Sequence, residues 1–152
     1  MITNKEMDDI DTLEAMLLKN NISLESIRDH FAALVSNTID RIVKTDKDTN
    51  EALRRLKESL TNINNLRAAG NTGKIPAQEF EEVWNIERHY RTSNPPVAGL
   101  ARCVIQCLAG YETWNENNQG DLTPLFYLYF DIKKINSEIK GEFINHFCKL
   151  II

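Results

Sequence analysis

Long hydrophobic runs are missing from this chain of 152 residues. Uncharged stretches such as Cys103–Tyr111 and Leu122–Phe130 extend for about nine residues, whereas a membrane-spanning helix needs about 18 or more apolar residues. The N-terminal residues contain neither the basic segment nor the apolar segment of a secretory signal. We therefore expect no membrane span, no membrane partner and no secretion.

Cysteine is scarce, with three residues at positions 103, 107 and 148. An odd number without a secretory signal predicts reduced thiols and a cytoplasmic location. Cys103 and Cys107 are four residues apart and share a helix face, but a metal site there would need two further ligands. Buried cysteines that act as small hydrophobic residues are the favoured interpretation, and we expect no metal and no cofactor.

Glycine and proline are also few, with six and four residues, and no strand-like alternation of apolar and polar residues persists. Apolar residues instead recur at spacings of three and four, which predicts an all-α fold. The length corresponds to one domain, residues 1–152. Short polar connectors between amphipathic helices predict an antiparallel bundle of about six helices.

Helix boundaries carry recognisable signals. Thr3 and Ser23 are predicted N-caps, and Pro95 and Pro124 each fit the first turn of a helix. The last predicted helix runs from Pro124 to Leu150, and its apolar residues keep a helical spacing throughout. Gly141 weakens this helix and is the point where it is expected to divide. We expect it to be the central or last-closing helix.

The same spacing assigns inward-facing side chains to each helix. In the first helix it places both Leu17 and Leu18 on the inner side, and in the fourth it places Val83 and Trp84 there. We therefore expect these four side chains to contribute to the core.

Sequence motifs of catalysis are absent. The residues three positions before His30, His89 and His146 are not glutamates, so the Glu-x-x-His pairs of di-iron bundles are missing. The stretch Ala68–Lys74 follows a predicted helix and lacks the Ser or Thr that ends a phosphate-binding loop. Side chains of Glu87–Tyr90 point in different directions on a helix. We expect no enzymatic activity.

Charge is unevenly distributed around a net value of −4. Residues 1–14 carry −4, residues 41–74 carry +4 and residues 75–92 carry −2. The basic segment has helical Glu51–Arg55 and Arg54–Glu58 spacings that predict internal ion pairs. It has no aromatic side chains for base stacking, so we expect no direct binding of nucleic acid.

The acidic segments are the candidate binding surface. Some of their carboxylates lie in the first turn of a predicted helix, where the helix dipole alone favours them; the others are available to a basic partner. Trp114, between two glutamates in a polar loop, has the composition of an interface hot spot, although packing over the end of the bundle is the favoured interpretation of this side chain. The predicted partner-binding residues are Asp8, Asp9, Asp11, Glu14, Glu79, Glu81, Glu82, Glu112, Trp114 and Glu116.

These features predict a small acidic protein-binding module of the cytoplasm. Stoichiometric inhibitors such as immunity proteins and antitoxins have this character, and carboxylates can mask the basic substrate cleft of a nuclease-type toxin. A structural or adaptor subunit of a helical assembly is the alternative, and whether the chain is a monomer or a dimer stays open. A third hypothesis is a small-ligand cavity lined by groups such as His30, His89, Tyr90 or Cys103.

Overall fold

The computed structural model describes residues 2–42, 46–68, 77–108 and 124–151, and within these ranges all regular secondary structure is helical. The all-α prediction is therefore confirmed for the described residues. In chain order the helices are α1 (Asn4–Lys19), α2 (Leu24–Arg41), α3 (Lys47–Ala68), α4 (Ala77–Tyr90), α5 (Pro95–Leu108), α6 (Pro124–Lys133) and α7 (Lys140–Cys148). None of these helices is long and apolar enough to cross a membrane.

Both predicted N-caps are confirmed. The Thr3 hydroxyl accepts a hydrogen bond from the backbone N–H of Glu6 at 3.1 Å, and the Ser23 hydroxyl accepts one from Ser26 at 3.1 Å. Between these caps, Asn21 adopts a left-handed backbone with a φ of 59°, a conformation that asparagine tolerates better than most residues. The turn lets α2 start after a connection of only four residues, 20–23.

Helix α3 begins at Lys47, inside a polar segment that the sequence indicates as a connector between helices. Asp46 acts there as a cap, because its carboxylate accepts hydrogen bonds from the Thr49 backbone N–H at 2.7 Å and from the Thr49 hydroxyl at 2.9 Å. The Asp46 carbonyl also accepts the first helical bond, from Asn50. Residues 47–50, which read as a connector, are consequently helical.

Helix α5 is the most deeply buried element. It packs against α2, α3, α4 and α6, and buried side chains occur along its whole length. Small residues allow close packing against this helix. At Gly99, an added Cβ would lie only 2.9 Å from Cγ1 of Ile135. The central place that the sequence suggested for the C-terminal helix is therefore occupied by α5.

The long C-terminal helix predicted from the sequence is two helices, and the break does not lie at Gly141. Residues 134–139 separate α6 from α7, and the Asn136 side chain accepts a hydrogen bond from the backbone N–H of Glu138 at 3.0 Å. Such local side-chain bonds compete with helix formation. Gly141 lies inside α7.

The buried apolar side chains of all seven helices belong to one contiguous cluster. The predicted C-terminal stripe contributes to it on both sides of the break, through Leu128, Ile132, Ile139, Phe143 and Phe147. The arrangement of the helices as one antiparallel bundle, and as one domain, stays a prediction.

Candidate partner-binding surface

The outer face of α1 carries two carboxylates that the rest of the described chain leaves unneutralised. Asp8 and Asp11 are exposed and three residues apart, so they lie one turn apart on the same face. No ion pair or side-chain hydrogen bond within the described ranges engages either carboxylate. Two of the predicted binding residues thus present negative charge directly to solvent.

The other two acidic residues predicted on α1 have partners inside the molecule. Asp9 forms an ion pair with Lys140 of α7 at 2.5 Å, and this hydrogen bond lowers the pKa of its carboxyl group. Glu14 is buried, and its carboxylate accepts a hydrogen bond from the backbone N–H of Leu125 at 3.2 Å. Glu14 therefore helps to satisfy the N-terminus of α6. Both carboxylates hold α1 against the C-terminal helices.

Glu79 and Glu82 on α4 converge on Arg55 of α3. Glu79 lies 3.0 Å from the Arg55 guanidinium and accepts a hydrogen bond from Ser59 at 2.9 Å. Glu82 binds the same guanidinium through Nε at 2.9 Å, and this bond is the main reason that the pKa of Glu82 is lowered. These two carboxylates are part of the α3–α4 contact, whereas Glu81 beside them is exposed.

Arg55 consequently does not form the pair with Glu51 that helical spacing predicted. Arg54 takes that role, because its guanidinium binds both Glu51 and Glu58. The predicted Arg54–Glu58 pair is confirmed at 2.7 Å. The spacing of residues within one helix does not predict contacts between helices, such as those of Arg55 with Glu79 and Glu82.

The structure does not gather the predicted acidic residues into one surface. Helix α1 packs against α6 and α7, whereas α4 packs chiefly against α5, and no extended contact between α1 and α4 joins the two acidic segments. Three further predicted residues, Glu112, Trp114 and Glu116, lie outside the described residues.

Two large apolar side chains that were expected inside are exposed instead. Leu18 is 54% exposed, while Leu17 beside it is fully buried. Trp84 is 38% exposed, while Val83 beside it is fully buried. Adjacent residues on a helix point about 100° apart, so burial of one member of such a pair does not require burial of the other. The prediction that Leu18 and Trp84 face inward was wrong.

These two exposed side chains extend the polar faces of their helices. Asp8, Asp11, Ala15 and Leu18 follow one another at spacings of three, four and three along the outside of α1, and all four are exposed. Met16 is also exposed, but it lies on the opposite flank of the helix, because a rotation of 100° per residue places it about 160° from Leu18. We name Asp8, Asp11, Ala15 and Leu18 the α1 outer face.

Trp84 forms a second mixed site on the outside of α4. Glu81 lies one turn before it and Arg88 one turn after it, and both are exposed. Tryptophan and arginine are enriched in interface hot spots. The sequence predicts this composition at Trp114. The sequence signal for Trp84 is the spacing of residues 81, 84 and 88, which lie on one solvent-facing side of the helix.

The described residues offer little reactive chemistry. No group of three or more His, Cys, Asp or Glu side chains in these ranges could hold a metal ion. All three cysteines are free, and burial raises the pKa of the Cys103 thiol, which opposes formation of the reactive thiolate. Glu87 is buried between Arg91 and Arg102, at 2.7 and 3.1 Å, so it joins α4 to α5.

Comparison with known proteins yields no relative: no family model, no curated protein and no solved structure matches the chain.

Proposed function

We propose that this chain is a cytoplasmic protein-binding module that acts by stoichiometric masking of a basic partner, as an immunity protein or antitoxin does for a nuclease-type toxin. The observation that carries the proposal is the α1 outer face. It combines carboxylates that have no counter-ion among the described residues with exposed apolar side chains on one helix.

The charged and the apolar side chains of the α1 outer face would have different roles in binding. Asp8 and Asp11 would accelerate encounter with a positively charged cleft, because unpaired surface charges act over about a Debye length. Leu18 and Ala15 would then provide apolar area, which lowers the dissociation rate when it is removed from water. The helices, packed as one antiparallel bundle in this proposal, hold the face rigid.

Paired carboxylates elsewhere contribute less to such an interface. Glu79 and Glu82 would have to leave Arg55 before they could bind a partner, which would leave a partly buried cation unpaired. Their predicted role in binding is therefore assigned to exposed Glu81, next to Trp84, as a secondary contact.

A charge-matched pair of double variants tests the proposal. Asp8→Asn with Asp11→Asn removes the two carboxylates of the α1 outer face, whereas Glu25→Gln with Asp48→Asn removes two exposed carboxylates elsewhere. Either double variant changes the net charge from −4 to −2. Tagged proteins are used to capture partners from lysate of the source cells at 50 mM and 500 mM salt, and the affinity of the captured partner is then measured.

We expect wild type and the Glu25/Asp48 variant to bind one basic protein alike. We expect the Asp8/Asp11 variant to bind it about tenfold or more weakly, with a smaller dependence on salt. Equal affinity of the two double variants would refute masking through α1, and capture without any dependence on salt would refute the charge mechanism.

A structural or adaptor role is the second candidate, and exposed apolar side chains on three helices favour it. Besides the α1 outer face, Trp84 on α4 and Phe130 on α6 are more than one-third exposed. Contacts on several sides suit a subunit inside a larger assembly. Light scattering at low micromolar concentration distinguishes the two roles, because a tight oligomer supports assembly and a monomer supports the inhibitor.

A further inference from the structure

Two histidines connect α2 to α7 in a reciprocal manner. Nε2 of His30 lies 2.8 Å from the carbonyl oxygen of His146, and Nε2 of His146 lies 2.6 Å from the carbonyl oxygen of His30. Because a carbonyl oxygen only accepts hydrogen bonds, both Nε2 atoms carry a hydrogen. Each ring can therefore gain a second proton only at Nδ1.

The two rings also stack on each other. Their centroids are 4.1 Å apart with an angle of 27° between the planes, and the fully buried Phe147 ring packs edgewise on both, at 5.8 and 5.6 Å. A proton on Nδ1 leaves both hydrogen bonds intact, since both Nε2 hydrogens remain. It adds a positive charge inside a partly buried stack, and a second proton adds a like charge at the same distance.

The surrounding charges offer this pair little compensation. Burial lowers the pKa of His146, and the nearby His30 and Lys149 lower it too, against the opposing effects of the His30 carbonyl and Glu142. Glu142 is itself bound by Arg41 of α2 at 2.8 Å. On the helices around the pair, charged groups form Asp9–Lys140, Glu6–Lys133, Asp40–Lys57, Glu87–Arg102 and Arg28–Asp29 contacts. The carboxylates of Asp8 and Asp11 on α1 and of Glu25 on α2 are exposed to solvent.

We propose that His30 and His146 form an acid-sensitive latch, which holds α7 and the residues after it against α2 near neutral pH and loosens when the pair takes up protons. This device is independent of the proposed partner, and it would couple the position of the C-terminal helix to pH.

The sign of the effect follows from linkage. The pKa of His146 is lowered in the folded chain, so the unfolded or opened chain binds protons more readily. The stabilisation is fully present above the ordinary histidine value of about 6.5 and is lost as the pH falls through the lower folded value.

Two measurements on the full chain test the latch between pH 8 and pH 5. The first is an NMR titration of the three histidine rings, in which the exposed His89 is the internal reference. The second is hydrogen exchange of the α7 amides, corrected for the intrinsic exchange rate, in wild type and in His146→Gln, His30→Gln and His89→Gln. Glutamine keeps an N–H donor but does not titrate.

We expect His146 to titrate below the ordinary histidine value of about 6.5. Protection of the α7 amides in wild type and in His89→Gln should fall on acidification, by about tenfold for each unit by which the folded pKa is lowered. In His146→Gln this fall should be abolished, and in His30→Gln it should be reduced. The proposal is overturned if protection falls equally in wild type and His146→Gln. If the variants do not fold, a wild-type His146 that titrates at or above about 6.5 overturns it as well.

Discussion

Glu6 shows how a single side chain can join the two ends of the described chain. Its carboxylate accepts a hydrogen bond from the hydroxyl of Tyr129 at 2.7 Å, across 123 positions of sequence, and forms an ion pair with Lys133. These bonds, with that of Lys133 the largest, lower the pKa of Glu6 to about 2. Burial and the hydrogen bond to Glu6 raise the pKa of Tyr129.

Replacing Glu6 by glutamine should change how stability depends on pH. The folded pKa lies below the unfolded value, so the contribution of Glu6 is present above about pH 4.5 and is lost as the pH falls towards 2. We expect Glu6→Gln to lower the free energy of unfolding by ~1–3 kcal/mol at pH 7 and to flatten its decline below pH 5. Urea unfolding at a series of pH values measures this, with Glu25→Gln as the exposed control. Parallel profiles for wild type and Glu6→Gln would contradict the assignment.

Gly99 is the point of closest packing between α5 and the residues that follow α6. A Cβ at this position would lie 2.9 Å from Cγ1 of Ile135, so Gly99→Ala should destabilise the chain by ~1–3 kcal/mol through overpacking. Gly141 is the matched control, because a Cβ there meets nothing within 4 Å. Gly141→Ala should be neutral or stabilise by up to about 1 kcal/mol. Thermal unfolding compares the two, and similar effects at both sites would rule out the packing argument.

At the scale of the element, the sequence predicted the helices well and their limits less well. Caps such as Thr3 and Ser23 act within four residues, so the sequence alone identifies them. Burial of Leu17 rather than Leu18, and of Val83 rather than Trp84, depends on which neighbouring helix lies opposite. The periodicity of the sequence contains no such information. The break after Lys133 comes from the Asn136 side chain, whose local hydrogen bond competes with helix formation. This effect is harder to recognise in a sequence than the low helix propensity of Gly141.

Helix α7 should be indispensable to the fold. A chain that ends at Gly141 loses Phe143 and Phe147, both fully buried, and large-to-small changes at such sites cost ~3–5 kcal/mol each. That loss approaches a typical total stability of about 5–15 kcal/mol. We expect the shortened chain to lack a cooperative transition in circular dichroism. A shortened chain that is monomeric and as stable as the full chain would instead make the C-terminal segment a docking element.

At the scale of the whole molecule, the distribution of charge differs from what the sequence alone indicates. Counting charges along the chain predicted that both acidic segments belong to the binding surface, but the tertiary fold places Glu79 and Glu82 on Arg55 and turns Glu14 towards Leu125. Such pairs join distant residues, so no local pattern predicts them. Asp8 and Asp11 were predicted correctly as exposed because the outside of an amphipathic helix is local information.

The contiguous core predicts a single cooperative unfolding transition. Its buried side chains come from all seven helices of the described ranges, so loss of any helix uncovers the others. We expect urea transitions followed by tryptophan fluorescence and by far-ultraviolet circular dichroism to coincide. Two separated transitions would show that the chain contains more than one folding unit.

The packing of α1 has a consequence for the synthesis of the chain. This helix packs mainly on α6 and α7, so α1 is translated before the two described helices that cover most of its apolar side. At common rates of elongation, the interval between Glu6 and Tyr129 lasts roughly 5–25 s. Throughout that time the apolar side of α1, with Ile10, Leu13 and Leu17, lacks its main native partners. Newly made chains therefore present this side to chaperones before they can present the α1 outer face to anything else.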